Sequence, residues 1–145
     1  KTLNTSSDDK EIDNYKNNMM KQIIATPKAP APIGPYSQAV LKGNTLYTSG
    51  QIAFNPETMR LVLDDIKIET TQVMDNMKAV LEAAGMTFEH VVKSSIFISD
   101  MDNFTKINEV YGTYFDEATA PARETVQVAR LPKDVNVEIS MIAIL

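Results

Sequence analysis

The chain has 145 residues, 43% hydrophobic and 23% charged, which suits a single domain with a modest core. A formal net charge of −5 gives no general attraction to phosphate backbones, and the absence of cysteine excludes disulfides, thiolate catalysis and zinc–sulfur sites. The only histidine, His90, cannot build a multi-histidine metal centre within one chain, and no apolar run approaches the ~18–20 residues that a membrane helix needs.

Residues 1–18 differ in composition from the rest of the chain. They are rich in Asn, Asp, Ser, Thr and Lys, with three lysines against four acidic groups. They lack the apolar stretch of a secretory signal and the arginines of a mitochondrial presequence. Such a segment is expected to be a flexible polar extension: a tail, a tag remnant or what is left of a processed leader. The domain proper is expected over residues 19–145. Residues 21–25 read as a short strand and residues 27–35 as a loop punctuated by proline. Residues 36–41 and 45–54 predict a hairpin around Lys42-Gly43-Asn44. Asp64 or Asp65 caps a helix whose apolar face runs through Ile66, Val73, Met77, Val80, Leu81 and Ala84, and Gly85 stops it. Residues 91–98 predict a strand. Asp102 or Asn103 opens a second helix, with Phe104, Ile107, Val110, Tyr111, Tyr114 and Phe115 at helical spacing.

The last two elements are strands. Val126 and Val128 alternate with Thr125 and Gln127, so Arg123, Thr125 and Gln127 share a face. Leu131-Pro132-Lys133-Asp134 breaks the run. In the final strand Val135, Val137, Ile139 and Met141 lie on one side, with Asn136, Glu138 and Ser140 on the other. Paired as a hairpin, these strands would bring Arg123 and Glu138 to one cavity from the same side of the sheet. A planar guanidinium suits a small carboxylate, which it holds by two parallel hydrogen bonds. A nearby carboxylate suits a water that needs orienting or deprotonating. Two helices among roughly six strands suggest an α+β sandwich with both helices on one sheet face. The opposite face then needs a cover, and self-association is the natural one.

Four separated motifs over about residues 20–145 resemble the Rid (YjgF-type) family of reactive imine/enamine deaminases, and its RidA branch most. They are Ala31-Pro32-Ile33-Gly34-Pro35-Tyr36-Ser37-Gln38-Ala39, Thr48-Ser49-Gly50-Gln51, Asn108 in the second helix, and Pro121-Ala122-Arg123 with Val137-Glu138-Ile139. The resemblance implies a chorismate-mutase-like fold, with a mixed sheet of about six strands and two helices packed on one face. It implies a homotrimer with sites between subunits and a location in the cytoplasm, or in an organelle if residues 1–18 are a leader remnant. The implied chemistry is hydrolysis of 2-aminoacrylate and 2-aminocrotonate, through their imine tautomers, to 2-oxoacids and ammonia, with neither metal nor organic cofactor.

By similarity, Arg123 holds the substrate carboxylate with help from the Gly50 N–H, and Glu138 positions or activates water. Tyr36 and Ser49 line the pocket, and Asn108 lies near the subunit interface. Thr125 stands where related proteins often carry cysteine, so a thiol nucleophile is not required; a hydroxyl or backbone carbonyl that binds water takes its place. Glu124 also departs from the family pattern, but alternation turns it away from Arg123. His90 matches no family site and reads as a surface residue. Two rival functions stand beside this one: a 2-oxoacid-binding regulator without turnover, and an endoribonuclease that inhibits translation, an activity attributed to some family members. The second finds no basic stripe with interleaved aromatics to support it.

Overall fold

In the computed structural model, which describes residues 5–145, the chain after the N-terminal helix takes a strand–helix order that repeats once. The elements are α1 (Thr5–Met19), β1 (Gln22–Ile24), β2 (Ala39–Lys42), β3 (Thr45–Thr48), α2 (Ile66–Ala83), β4 (Val91–Ile98), α3 (Phe104–Gly112), β5 (Ala122–Gln127) and β6 (Val137–Ile144). Helix α1 lies mostly within the segment expected to be a flexible polar extension. From residue 6 onward the described side chains of α1 are exposed, including Ile12 and Tyr15, so it buries no apolar face.

Local chemistry accounts for the elements after α1. The turn between β2 and β3 pivots on Gly43, whose φ of 59° suits a residue without a Cβ. Asp65 caps α2, its carboxylate accepting from the Ile68 N–H at 2.9 Å. Val73, Met74, Met77, Val80 and Leu81 then fall on one stripe of α2 and are fully buried. Each such side chain contributes ~1.5–3 kcal/mol of burial. Gly85 at φ 71° ends the helix, with the Met86 N–H returned to the Leu81 carbonyl. The approach to α3 differs in part from expectation. Asn103 stands at the N-cap of α3, as expected, but its side chain makes no capping bond; the Asp100 carboxylate instead accepts from the Asp102 N–H and caps the short 3₁₀ turn that leads into the helix.

The six strands run in the order β1-β2-β3-β6-β4-β5, antiparallel except for β4 and β5. Helix α3 is the crossover joining that parallel pair. The hairpin expected of the last two strands does not form, because β4 lies between β5 and β6. Burial explains the arrangement. Val137, Ile139, Met141 and Ala143 of β6 are all buried, which fits a central strand. Strand β5 offers only partly buried or exposed residues and occupies the edge, with Val126 40% exposed.

Helices α2 and α3 cover one face of this mixed sheet. No element among the described residues covers the other face. Across it run Ile23, Val40, Tyr47, Ile142, Phe97 and Val126, of which Ile23 and Tyr47 are more than half exposed. Among the described residues, no helix is long and apolar enough to cross a membrane.

Candidate active site

Past the end of β3 the chain stays beside β6, Gln51 and Ile139 exchanging backbone hydrogen bonds at 2.8 and 3.2 Å. That pairing sets Gly50 against the side chain of Glu138. A Cβ on residue 50 would stand 2.1 Å from Glu138 Oε1, so only glycine leaves the carboxyl in place. Ser49 is fixed by its N–H to the Gln38 carbonyl and by its hydroxyl to the Ser37 carbonyl at 2.6 Å. The Tyr36 hydroxyl accepts from the Ile33 N–H at 3.0 Å and bends the proline loop over the same space.

Tyr36, Ser49, Gly50 and Glu138 together line a cavity of about 380 Å³. Its remaining wall is largely apolar, and Glu138 is its only acidic residue. Burial pushes the Glu138 carboxyl above its ordinary value. A group raised in this way holds a proton closer to neutrality and can both take and return one.

Buried amides brace the cavity. Gln38 accepts from the Thr26 N–H at 2.7 Å and donates to the carbonyls of Thr26, Ala29 and Pro30. Asn76 of α2 donates to the carbonyls of Ile52 and Phe54. Glu69, also on α2, is fully buried, and its carboxylate accepts from the Asn136 N–H at 2.8 Å, the Asn136 Nδ2 at 2.7 Å and the Val137 N–H at 3.2 Å. It thereby fixes the two residues that precede Glu138. Glu69 was not among the expected site residues. Its signal was an acid on the apolar stripe of a helix, three residues after Ile66 and four before Val73.

Arg123 lies elsewhere. In the ladder it stands beside Ser94 and Met141, whereas Glu138 stands beside Phe97 and Val126. Since faces alternate along a strand, Arg123 projects on the helix side and Glu138 on the uncovered side. The expectation that both enter one cavity from the same side fails within a single chain, because it rested on the hairpin that β4 interrupts. Arg123 Nη1 donates to Asn108 Oδ1 at 2.8 Å, and its guanidinium lies 5.0 Å from the Tyr111 ring centroid and 5.9 Å from that of Phe104. No carboxylate pairs with it among the described residues. The arrangement aims a planar cation and leaves most of its donors for a ligand.

Thr125 shares the Arg123 face, and its hydroxyl is shielded from solvent with no hydrogen-bond partner among the described residues. Glu124 points the other way, as expected, and pairs with Lys93 while accepting from the Ser95 hydroxyl at 2.5 Å. The Lys93 ammonium, then that hydroxyl, hold its carboxyl below the usual range. His90 stays outside both clusters, its Nδ1 accepting from the Thr87 N–H at 3.0 Å.

The family model described as Endoribonuclease L-PSP matches residues 26–145. The chain is 51% identical to a RutC family protein of Synechocystis over 128 residues, covering 88% of this chain and 98% of that one. It is 48% identical to the 2-iminobutanoate/2-iminopropanoate deaminase of Escherichia coli K12 over 127 residues, 86% of this chain and 98% of that enzyme. Among solved structures, E. coli TdcF with bound serine superposes with a TM-score of 0.81 at 44% identity, covering 86% of this chain and 98% of TdcF. With a family model spanning nearly the whole domain and relatives near half identity over almost their full length, this chain belongs to the Rid family, also called YjgF, L-PSP or RutC, and has its chorismate-mutase-like fold.

Proposed function

We propose that the protein hydrolyses reactive imines and their enamine tautomers, such as 2-aminoacrylate and 2-aminocrotonate, to 2-oxoacids and ammonia. The observation that carries this reading is Glu138: the only acid in the cavity, seated where Gly50 leaves room, with its carboxyl raised by burial. The E. coli deaminase at 48% identity and the serine held by TdcF support a small amino-acid-derived ligand.

Arg123 takes the substrate carboxylate through the donors that Asn108 leaves free, and the Gly50 N–H assists. Water, oriented by Glu138 and polar groups such as the Thr125 hydroxyl, adds its oxygen to the imine carbon. Glu138 accepts the proton released from that water and returns it to nitrogen. The carbinolamine then loses ammonia and leaves the 2-oxoacid. Imines hydrolyse unaided, so positioning and one acid–base group, together worth ~10²–10⁴-fold, are enough.

Because Arg123 and Glu138 occupy opposite faces of one sheet, a second copy must bring its arginine to this cavity. The homotrimer implied by the Rid resemblance would do so while covering the apolar face that carries Ile23, Tyr47 and Val126. The net charge of −5 lends no support to a ribonuclease. The test is ammonia release from 2-aminoacrylate generated in situ by a serine/threonine dehydratase, with and without the protein. Faster release supports the enzyme. Pyruvate binding without any acceleration would make it a 2-oxoacid sensor instead. Light scattering should give three times the 16.1 kDa chain mass, and a stable monomer would remove the shared site.

A further inference from the structure

Lys133 is the only basic residue lining the cavity that holds Glu138. Its backbone is in the left-handed region, φ 58° and ψ 19°, and Asp134 comes next at φ 57°. Two consecutive residues with side chains in that region are strained, and such strain persists only where the surroundings enforce it. They do so here. Leu131 and Val135, on either side of the turn, are both buried. Arg130 grips Asp134 with two hydrogen bonds, Nε to Oδ1 at 2.6 Å and Nη2 to Oδ2 at 3.2 Å. The Asp134 N–H returns to the Leu131 carbonyl at 3.1 Å, and the next segment is held by Glu69.

If the turn served shape alone, glycine or asparagine would form it with less strain. What lysine adds is a positive charge, carried at the rim of a cavity whose only other ionisable groups are Tyr36 and the Glu138 carboxyl. An ionised Glu138 repels an anionic substrate, and a cation at the mouth offsets that repulsion.

We infer that Lys133 is a specificity-determining residue: it draws the anionic group of the substrate to the Glu138 cavity and favours carboxylate-bearing imines over neutral ones. This rests on the imine-hydrolase reading and names the substrate class of that same site. Lys133 pairs with the anion at the mouth, and Arg123 provides the planar fork that holds it.

The test compares Lys133→Gly, Lys133→Asn and Lys133→Arg. The first two remove the charge and suit the left-handed backbone, so folding is not at risk. At low ionic strength both should raise KM for the imine of 2-aminoacrylate by about fivefold, the effect of one unit charge at contact range in water-like surroundings. Their kcat should stay near that of the unchanged protein, and the KM difference should shrink as salt approaches ~1 M, where the screening length is a few ångströms. Lys133→Arg should keep the original KM. A neutral imine, such as that of an amino-acid amide, should show no dependence on residue 133.

Calorimetry with pyruvate as probe gives a second readout that needs no turnover. Weaker pyruvate binding with a smaller salt dependence in Lys133→Gly supports the assignment even if the protein proves not to be an enzyme. Unchanged KM and unchanged pyruvate affinity in a folded Lys133→Gly protein would overturn it.

Discussion

A methyl group added at residue 50 would lie 2.1 Å from Oε1 of Glu138, 2.8 Å from its Cδ and 3.0 Å from its Cγ. One partner must move. The backbone at 50 is held by the Gln51–Ile139 bonds, so the carboxyl gives way. Gly50 has no positive φ, so alanine introduces no backbone strain of its own. Driving Glu138 off its rotamer costs ~0.5–1.5 kcal/mol, and the stiffer unfolded chain of the alanine variant returns ~0.4–1 kcal/mol. The fold should therefore survive within about 1 kcal/mol. Activity should not. Displacing the only carboxyl of the cavity, the acid–base group of the proposed reaction, forfeits ~10²-fold or more of rate, equivalent to about 3 kcal/mol of barrier. Thermal unfolding and coupled ammonia release, measured on the same preparation of Gly50→Ala, separate the two effects. In a Glu138→Ala background the added methyl meets no carboxyl and should change the residual rate only slightly. A folded Gly50→Ala protein with kcat within about threefold of the original would refute the role given to Glu138.

Arg123→Ala should abolish turnover even at high substrate concentration while leaving the melting temperature nearly unchanged, at a cost of ~2–5 kcal/mol in transition-state binding. Arg123→Lys should rescue little, since an ammonium lacks the fork. Glu69→Gln turns an amide N–H₂ towards donors that now meet a carboxylate, and denaturant titration should show a loss of ~1–3 kcal/mol. The folded-state pKa of Glu138 is raised above the ordinary 4.5, so the folded state binds the proton more tightly and stability falls as pH rises from 4.5 through that raised value. Glu138→Gln should thus equal the original protein in stability at pH 4 and exceed it at pH 7, with the rate lost and pyruvate binding retained; a variant less stable than the original at pH 7 would reverse that reasoning.

Where the sequence carried local signals, they led to the right elements. The strand Val91–Ile98 matched its expected bounds, and α2 came from an aspartate cap, a 3.6-residue apolar stripe and a terminal glycine. Tyr36, Ser49, Gly50 and Glu138 share the cavity, and Asn108 touches Arg123. The strand neighbours were not legible. Two adjacent strands with a proline turn between them look like a hairpin, and nothing within residues 121–144 reveals that β4, thirty residues upstream, takes the place between them. Burial gave a partial clue, because β6 has four buried apolar residues on one face and β5 has none. The roles of Glu69 and Asn76 depend on contacts over long sequence separations, which no local pattern encodes, whereas Gln38 folds back only on the eight to twelve residues before it.

The sheet that parts Arg123 from Glu138 has a genetic consequence. On the trimer proposal each reaction centre borrows its arginine from one chain and its carboxyl from a neighbour. Arg123→Ala and Glu138→Ala chains would each be dead when expressed alone. Unfolded together and refolded as a mixture, they would assemble some centres from the intact half of each. Random assortment makes about a quarter of the centres complete, so two null alleles would restore measurable activity to one another. For the same reason an excess of either dead chain would poison an intact one.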